Sequence, residues 1–228
     1  YPHAYLADLP SKLTATGVGR GYRADEAAEQ TPPPRKEVQL RAPLFEQGEK
    51  KLTPAEIGTA HHLFMQFCDF DAACAPNGVE NELNRLAEKK ILSTEQAHAV
   101  DKRKIERFFA SDLYKTFMAE NRMRREFKFS VLVPAQAYFP VAADVPEENV
   151  LLQGVIDCLI ETRDGFVILD FKTDRIKKGG AVERAEQYRP QLAAYARAVH
   201  EIYGRPVRAC VLYFFHTGDT EWVSLDED

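Results

Sequence analysis

The stretch GVIDCLIETRDGFVILDFK, residues 154–172, decides the fold of this chain. Its two apolar runs flank a short polar loop at residues 162–165, which is the pattern of an antiparallel β-hairpin. A loop centred on these four residues sets Asp157 directly opposite Asp170. Because strand residues alternate between two faces, Lys172 lies on the same face as Asp170, one pleat further along. The same alternation assigns to the opposite face the apolar residues Ile156, Cys158 and Ile160.

Two opposed carboxylates on one face of a hairpin repel each other unless a positive charge lies between them. A hard divalent cation with oxygen ligands, usually Mg²⁺, is the natural candidate. Carboxylates that hold a metal beside a lysine suit phosphodiester hydrolysis, because the metal activates a bound water and the lysine stabilises the transition state. The alternative is an exposed hairpin with incidental acids. The convergence of Asp157, Asp170 and Lys172 on an apolar hairpin, central to its sheet, favours the metal site.

Helical patterns fill the first half of the chain and strand patterns the second, which predicts one α/β domain: a mixed central sheet flanked by helices. The first helix begins after Thr53, which forms a capping box with Glu56, and runs to about Asp69. Further helices are expected at residues 79–91, 94–109 and 112–120. Strands are expected at residues 126–134, 151–161, 166–172, 206–216 and 221–225. A last helix is expected at residues 182–203, interrupted or restarted at Pro190.

The N-terminal part of the chain has a different character. Residues 1–50 are interpreted as a connector, and residues 51–228 as the folded domain. Residues 11–16 could open a short helix, whereas the proline-rich segment 31–36 is extended and cannot join a packed helix. The start lacks both Met and a signal segment, so we expect a soluble, intracellular piece of a longer chain.

The composition excludes several classes of protein. The 228 residues are 45% hydrophobic, which is enough for a real core, and the net charge of -5 argues against coating nucleic acid by bulk positive charge. No apolar run approaches the roughly 18 residues that a membrane span needs. The four cysteines lack the spacing of a zinc or iron–sulfur site and are interpreted as reduced thiols. No G-x4-G-K-[ST] motif is present, so this stretch is not expected to bind ATP.

Three motifs resemble the RecB-type branch of the PD-(D/E)xK nuclease superfamily, and within it the C-terminal nuclease domains of AddA-type subunits of bacterial helicase-nucleases. They are GVID at residues 154–157 followed by DFKTD at residues 170–174, GTAHH at residues 58–62, and YRPQLAAY at residues 188–195. The resemblance covers roughly residues 53–225. Gly154 stands where the motif's namesake proline would be, a departure that this branch tolerates.

The resemblance implies a restriction-endonuclease-like core and a set of metal ligands. By position these ligands are His62, Asp157, Asp170 and the backbone carbonyl of Phe171, with Lys172 as the catalytic lysine. The neighbouring His61 faces about 100° away on a helix and ranks second as a ligand. The expected cofactor is Mg²⁺, with Mn²⁺ as an alternative that suits a histidine ligand better.

Further residues are implied to act on DNA. Gln191 and Tyr195 are four apart and share a helix face, which brings an amide and a phenol together near the cleaved strand. Glu126 resembles a family acid near the site. Basic residues are dense at 172–189 and 122–128 and are suited to backbone phosphates. The predicted DNA contacts are Tyr188, Gln191, Tyr195, Lys177, Lys178 and Arg125.

The implied function is a metal-dependent DNA exonuclease domain within a helicase-nuclease. Proteins of this kind take part in double-strand break repair and recombination in the bacterial cytoplasm, and the domain is expected to degrade the unwound, 3'-ended strand. Its implied partners are DNA, the parent helicase domains and an AddB-like second subunit, with no membrane. Two alternatives stay open: a free-standing nuclease of the same fold, and a catalytically inactive module that binds DNA ends. Retention of Asp157, Asp170 and Lys172 disfavours the inactive module.

Overall fold

A computed structural model describes residues 9–18, 52–118, 121–145 and 147–225. Within these ranges the chain forms a mixed six-stranded sheet with helices on both faces. The strands are β1 (Lys12–Thr14), β2 (Arg122–Pro134), β3 (Asn149–Thr162), β4 (Gly165–Lys172), β5 (Val207–Phe214) and β6 (Asp219–Val223). The α-helices are α1 (Pro54–Phe67), α2 (Phe70–Ala73), α3 (Gly78–Glu88), α4 (Thr94–Ala99), α5 (Lys102–Ala110) and α6 (Ala181–Tyr203). The predicted α/β class is confirmed.

The sheet is built around the hairpin that the sequence predicts. Strands β3 and β4 pair antiparallel with Leu159 opposite Ile168, in the expected register. Helix α6 then crosses over, so that β5 pairs parallel with β4, as a helical connection between parallel strands requires. Strand β6 returns antiparallel to β5. Strand β3 also pairs with β2 and with β1, which makes the hairpin central to the sheet.

Two hydrophobic layers cover the sheet. Helices α1 to α5 pack on one face around the buried ring of Phe108, which contacts Phe171 and Tyr213 edge-on with centroids 5.2 and 4.9 Å apart. Helix α6 packs on the other face through Leu192 and Tyr195. The GTAHH and YRPQLAAY motifs therefore reach the sheet from two opposite layers, the first on α1 and the second on α6.

Strand β3 turns over at Asp157, so residues before and after it do not follow one continuous alternation between the two faces of the sheet. Cys158 packs into the layer of α1 to α5, but Ile156, two residues earlier, packs into the layer of α6. The partner strand β2 changes at the same level, where Glu126 has a left-handed φ of 50°. The expectation that Ile156 shares a face with Cys158 is therefore wrong, because the paired strands β2 and β3 both turn over at this level, and in β2 the turn passes through the left-handed Glu126.

Several predicted element boundaries need correction. Helix α1 ends at Phe67, and the expected helix at 94–109 divides into α4 and α5 because Val100 is extended. Residues 113–118 form a short π-helical segment. Helix α6 continues through Pro190, since the proline removes a single backbone donor from a long helix that is buried along one side.

Residues 11–16 do not form a helix. Residues Lys12–Thr14 form the short strand β1, which pairs parallel with residues 151–153 of β3. Leu13, the middle residue of β1, is buried. A three-residue strand is too short to show the two-residue period of a β-strand in the sequence. The remainder of the predicted connector, apart from residues 9–18, lies outside the described residues. Among the described residues, no helix combines the length and the apolar character needed to cross a membrane.

Candidate active site

A cleft of about 280 Å³ opens at the end of β4, between α1 and α6. The structure brings together here all five predicted catalytic residues, the predicted ligand His62, and Tyr188. Phe171 also lines the cleft. Its ring is buried in the layer of α1 to α5, so its backbone is the part that faces the opening. Lys177, Lys178 and Arg125 are not among the residues that line it.

The Asp157 carboxylate is fixed by the neighbouring strand and by α1. Its Oδ2 accepts a hydrogen bond of 2.7 Å from the backbone N–H of Phe171, and its Oδ1 lies 3.4 Å from Nδ1 of His62. Burial by itself lowers the pKa of His62, but the hydrogen bond and the charge of Asp157 outweigh it and raise that pKa. The imidazole and the carboxylate therefore form a linked pair between the helix and the sheet.

Asp170 is the most deeply buried acid of the cleft, at 3% exposure. Burial raises the pKa of its carboxyl, while the ammonium of Lys172 opposes that rise. Its Oδ2 lies 2.7 Å from Nζ of Lys172 but makes no hydrogen bond of good geometry to any described residue. A buried carboxylate oxygen is thus held by charge alone, and it retains lone pairs for a further ligand.

The donor set fits a hard divalent cation. Two carboxylates and the Phe171 carbonyl are the oxygen ligands that Mg²⁺ takes, and the His62 imidazole is acceptable to Mn²⁺. The poorly satisfied Oδ2 of Asp170 is the observation that supports this fit. Among the described residues, no three His, Cys, Asp or Glu side chains are already arranged around one point. His62 and Asp157 contact each other, and Lys172 contacts Asp170.

Helix α6 supplies the amide and the phenol that the sequence predicts to lie together. The amide of Gln191 donates to the hydroxyl of Tyr195 at 2.8 Å and lies 3.4 Å from Oδ1 of Asp170. Its carbonyl accepts from Lys172 at 3.3 Å. Burial raises the pKa of the Tyr195 phenol, which therefore stays protonated and can donate. The helix thus links the acid and the lysine of the cleft.

Tyr188 supports Lys172 through its ring. The Lys172 ammonium lies 3.8 Å from the centroid of that ring, a cation–π contact. The Tyr188 hydroxyl donates to Asp174 and accepts from Arg184, and Arg184 also donates to Asp174 at 3.0 Å. Asp174 was not predicted as a site residue, although it ends the DFKTD motif. It anchors the aromatic ring on which the lysine rests.

The two adjacent histidines have different surroundings. His61 is 4% exposed, donates from Nδ1 to the Ile57 carbonyl at 2.9 Å, and accepts the Asp101 N–H at Nε2. Its Nδ1 is therefore used within α1 and its Nε2 ties α1 to the start of α5, and burial lowers its pKa. His62 lines the cleft instead. The structure thus favours the predicted order, with His62 ahead of His61 as a ligand.

The motifs around the cleft fall within a longer match to a known family. Residues 35–224 match the family described as the PD-(D/E)XK nuclease superfamily, which covers most of the chain. The chain belongs to this superfamily. Its predicted restriction-endonuclease-like core and the predicted family are both confirmed.

Curated relatives of this PD-(D/E)XK domain share one name, which describes them as the A subunit of an ATP-dependent helicase/nuclease. The relative from Moorella thermoacetica is 39% identical over 221 residues, which is 96% of this chain and 15% of the relative. Those from Desulforudis audaxviator and Desulforamulus reducens are 35% and 38% identical, over 97% and 96% of this chain and 18% and 17% of their own length. The chain therefore spans less than a fifth of these relatives, and the predicted resemblance to their nuclease domain is confirmed.

Two glycines of the PD-(D/E)XK motifs allow close contacts around the cleft. A β-carbon on Gly154 would lie 2.6 Å from the ring of Phe129, which packs edge-on against Tyr195 with centroids 5.9 Å apart. A β-carbon on Gly58 would lie 2.8 Å from Oγ1 of Thr173. Gly58 thus lets α1, and with it the cleft histidine, approach the end of β4.

Gly58→Ala is expected to lower nuclease activity about tenfold, because the new methyl pushes α1 away from Thr173. Alanine favours a helix over glycine by about 1 kcal/mol, so cleavage rate is the informative measurement and thermal stability is not. The matched control is Gly58→Ala with Thr173→Ala, which removes the clashing hydroxyl and is expected to regain activity. Full activity in Gly58→Ala alone would contradict this account.

Arg125, a predicted DNA contact, makes structural contacts within the domain, and its contact with DNA stays a prediction. Its guanidinium donates to the carbonyls of Met65 and Cys68 at 3.0 and 2.6 Å and lies over the ring of Phe70 at 4.5 Å. It therefore satisfies carbonyls at the end of α1, which a helix end leaves without partners. Its position within a basic run gave no sign of these bonds, because they depend on where α1 ends.

The other charged residues predicted near the site, Lys177, Lys178 and Glu126, lie at different distances from the cleft. Lys177 and Lys178 are exposed on the loop between β4 and α6, beside the cleft but outside its lining. Glu126 is half-buried, and burial together with the charge of Asp157 raises its pKa. It therefore lies near the cleft, as the family resemblance implies. A DNA contact by either lysine stays a prediction.

Proposed function

We propose that this domain is a metal-dependent DNA nuclease that hydrolyses the phosphodiester bonds of a single strand. The observation that carries the proposal is the convergence of Asp157, Asp170 and Lys172 at the open end of a buried hairpin. Membership of the PD-(D/E)XK nuclease superfamily supports the same chemistry. The polar groups that line the open cleft suit contact with the DNA backbone, which has the same chemistry at every nucleotide.

The residues of the cleft divide the work of the reaction. His62, Asp157, Asp170 and the Phe171 carbonyl would hold Mg²⁺ or Mn²⁺, and the bound ion lowers the pKa of a water and neutralises phosphate charge. Lys172 carries a positive charge that Asp170 and the Tyr188 ring keep in place, so it can stabilise negative charge that develops on the phosphate.

Gln191 and Tyr195 act beside these groups. Gln191 contacts both Lys172 and Asp170, so it holds the two charges at a fixed separation. The protonated hydroxyl of Tyr195 accepts from Gln191, which leaves its own O–H as a donor in the cleft. We propose that this donor and the amide orient the strand to be cut.

The wider role of the protein follows from its relatives. Their shared name supports a parent chain that carries a helicase motor and delivers unwound DNA to this domain. We infer a role in double-strand break repair and recombination in the bacterial cytoplasm, cleavage of the 3'-ended strand, and a second, AddB-like subunit. A net charge of -5 agrees with a domain that depends on a motor for delivery rather than on bulk attraction.

The test is a cleavage assay of this chain on linear single-stranded DNA in Mg²⁺, in Mn²⁺ and in EDTA. We expect cleavage in at least one of the two metals and none in EDTA, because the carboxylates need a cation to act on a phosphate. Binding of DNA ends without cleavage in either metal would support the inactive end-binding module instead. Undiminished cleavage in EDTA would contradict the metal assignment.

A further inference from the structure

A second pocket, of about 420 Å³, lies beside the active-site cleft. It is bounded by α1, α5 and the ends of β4 and β5, and Thr173 and Asp174 line both cavities. Its floor contains Gly58 and the buried ring of Phe215. A DNA strand bound in the cleft would therefore need to pass only Thr173 and Asp174 to reach this pocket.

The pocket is lined by basic side chains from three separate elements. Lys104 comes from α5, Arg175 from the loop after β4, and His216 from the turn after β5. Their convergence is a product of the fold, because neither a single basic run nor a single helix face provides it. The predicted basic clusters of the sequence did not include Lys104 or His216.

Two acids near this pocket offset part of its positive charge. Asp174 lines it, but its carboxylate accepts hydrogen bonds from Arg184 and from Tyr188. Asp101 lies 3.5 Å from Nζ of Lys104, outside the pocket lining, and offsets part of that charge. The remaining positive charge suits a ligand that carries a single negative charge.

We propose that this pocket binds a backbone phosphate of the DNA strand, adjacent to the phosphate that is cut. The inference rests on the proposed nuclease function. A strand has one phosphate per nucleotide, so a strand seated in the cleft presents another phosphate to one side of it. Lys104, Arg175 and His216 contact phosphate without reading a base, which keeps the strand in position while cleavage remains independent of sequence.

The first test measures binding. The variant is Lys104→Ala with His216→Ala, and the matched control is Arg103→Ala, which removes a charge from the same helix at a position outside the pocket. Affinity for a fluorescent single-stranded oligonucleotide is measured in EDTA at several salt concentrations. We expect the variant to bind about tenfold more weakly, with the slope of log K against log salt smaller by about 0.7, and the control to bind like the parent chain.

The second test locates the phosphate. Oligonucleotides with one uncharged methylphosphonate are cleaved by the parent chain and by the double variant, and the rate is followed at one fixed bond. We expect a slowing of about tenfold for the parent chain at one position next to the cut, and no further slowing for the variant at that position. The variant should raise KM and leave kcat unchanged.

The outcomes separate the two proposals. If the parent chain cleaves DNA but the double variant matches Arg103→Ala in affinity, salt slope and methylphosphonate response, the phosphate pocket is wrong and the nuclease stands. If the parent chain cleaves in no metal but the double variant still loses affinity and salt dependence, the nuclease assignment fails while the pocket still binds phosphate. A fall in kcat with unchanged KM would also overturn the inference.

Discussion

Asp170→Asn is expected to slow metal-dependent DNA cleavage by about 10³-fold, the equivalent of about 4 kcal/mol of transition-state stabilisation. The amide preserves the shape of the side chain but removes the charge that would hold a cation. The buried carboxylate lies 2.7 Å from Lys172, and its Oδ2 has no hydrogen bond of good geometry among the described residues, so its position serves charge rather than packing. Single-turnover cleavage rates in Mg²⁺ and Mn²⁺ measure the effect.

The matched control is Asp164→Asn, which removes an exposed acid from the loop of the same hairpin, outside the cleft. It is expected to cleave like the parent chain. The free energy of unfolding of Asp170→Asn should lie within about 1 kcal/mol of the parent value, because Lys172 keeps its contact with Gln191 and is partly exposed. Cleavage by Asp170→Asn at the parental rate would mean that the active site has been assigned to the wrong residues.

Lys172→Met is expected to lower the free energy of unfolding by about 3 kcal/mol, in addition to abolishing cleavage. The substitution leaves the Asp170 carboxylate buried without its counter-ion, which costs more than the ion pair itself contributes. Urea unfolding at neutral pH measures the change, with an unchanged m value as evidence that the same folded state unfolds.

The double variant Asp170→Asn with Lys172→Met separates this explanation from a simple packing defect. It contains no buried charge at either position, so it should recover most of the lost stability while remaining inactive. A double-mutant cycle gives the coupling energy between the two sites. Strictly additive losses of stability would show that the lysine acts through its packing and not through the charge of Asp170.

Much of the site could be predicted from the hairpin, because a short loop fixes the register of its strands. That register brought Asp157 to the level of Asp170, and helical spacing brought Gln191 to Tyr195. These predictions depend only on local geometry. The ranking of His62 ahead of His61 came from the family resemblance, and their angle on one helix showed only that the two face different surroundings.

The remaining features depend on contacts between distant parts of the chain. Strands β2 and β3 turn over at the level of Glu126, which has a left-handed φ. The alternation of apolar side chains in the sequence gives no sign of that conformation. Arg125 bonds to the end of α1 because α1 stops at Phe67. The short strand formed by residues 12–14 exists because β3 offers a free edge beside β4. Each outcome is decided by tertiary packing.

Because β3 turns over at Asp157, the candidate site depends on both hydrophobic layers of the core. The acid stands where the two faces of the sheet exchange, with His62 reaching it from one layer and Gln191 reaching its neighbour Asp170 from the other. Loss of either layer therefore separates the catalytic groups. A partly folded domain would therefore contain His62, Asp157 and Gln191 without the assembled cleft, and nuclease activity is expected to require the packing of both layers against the sheet.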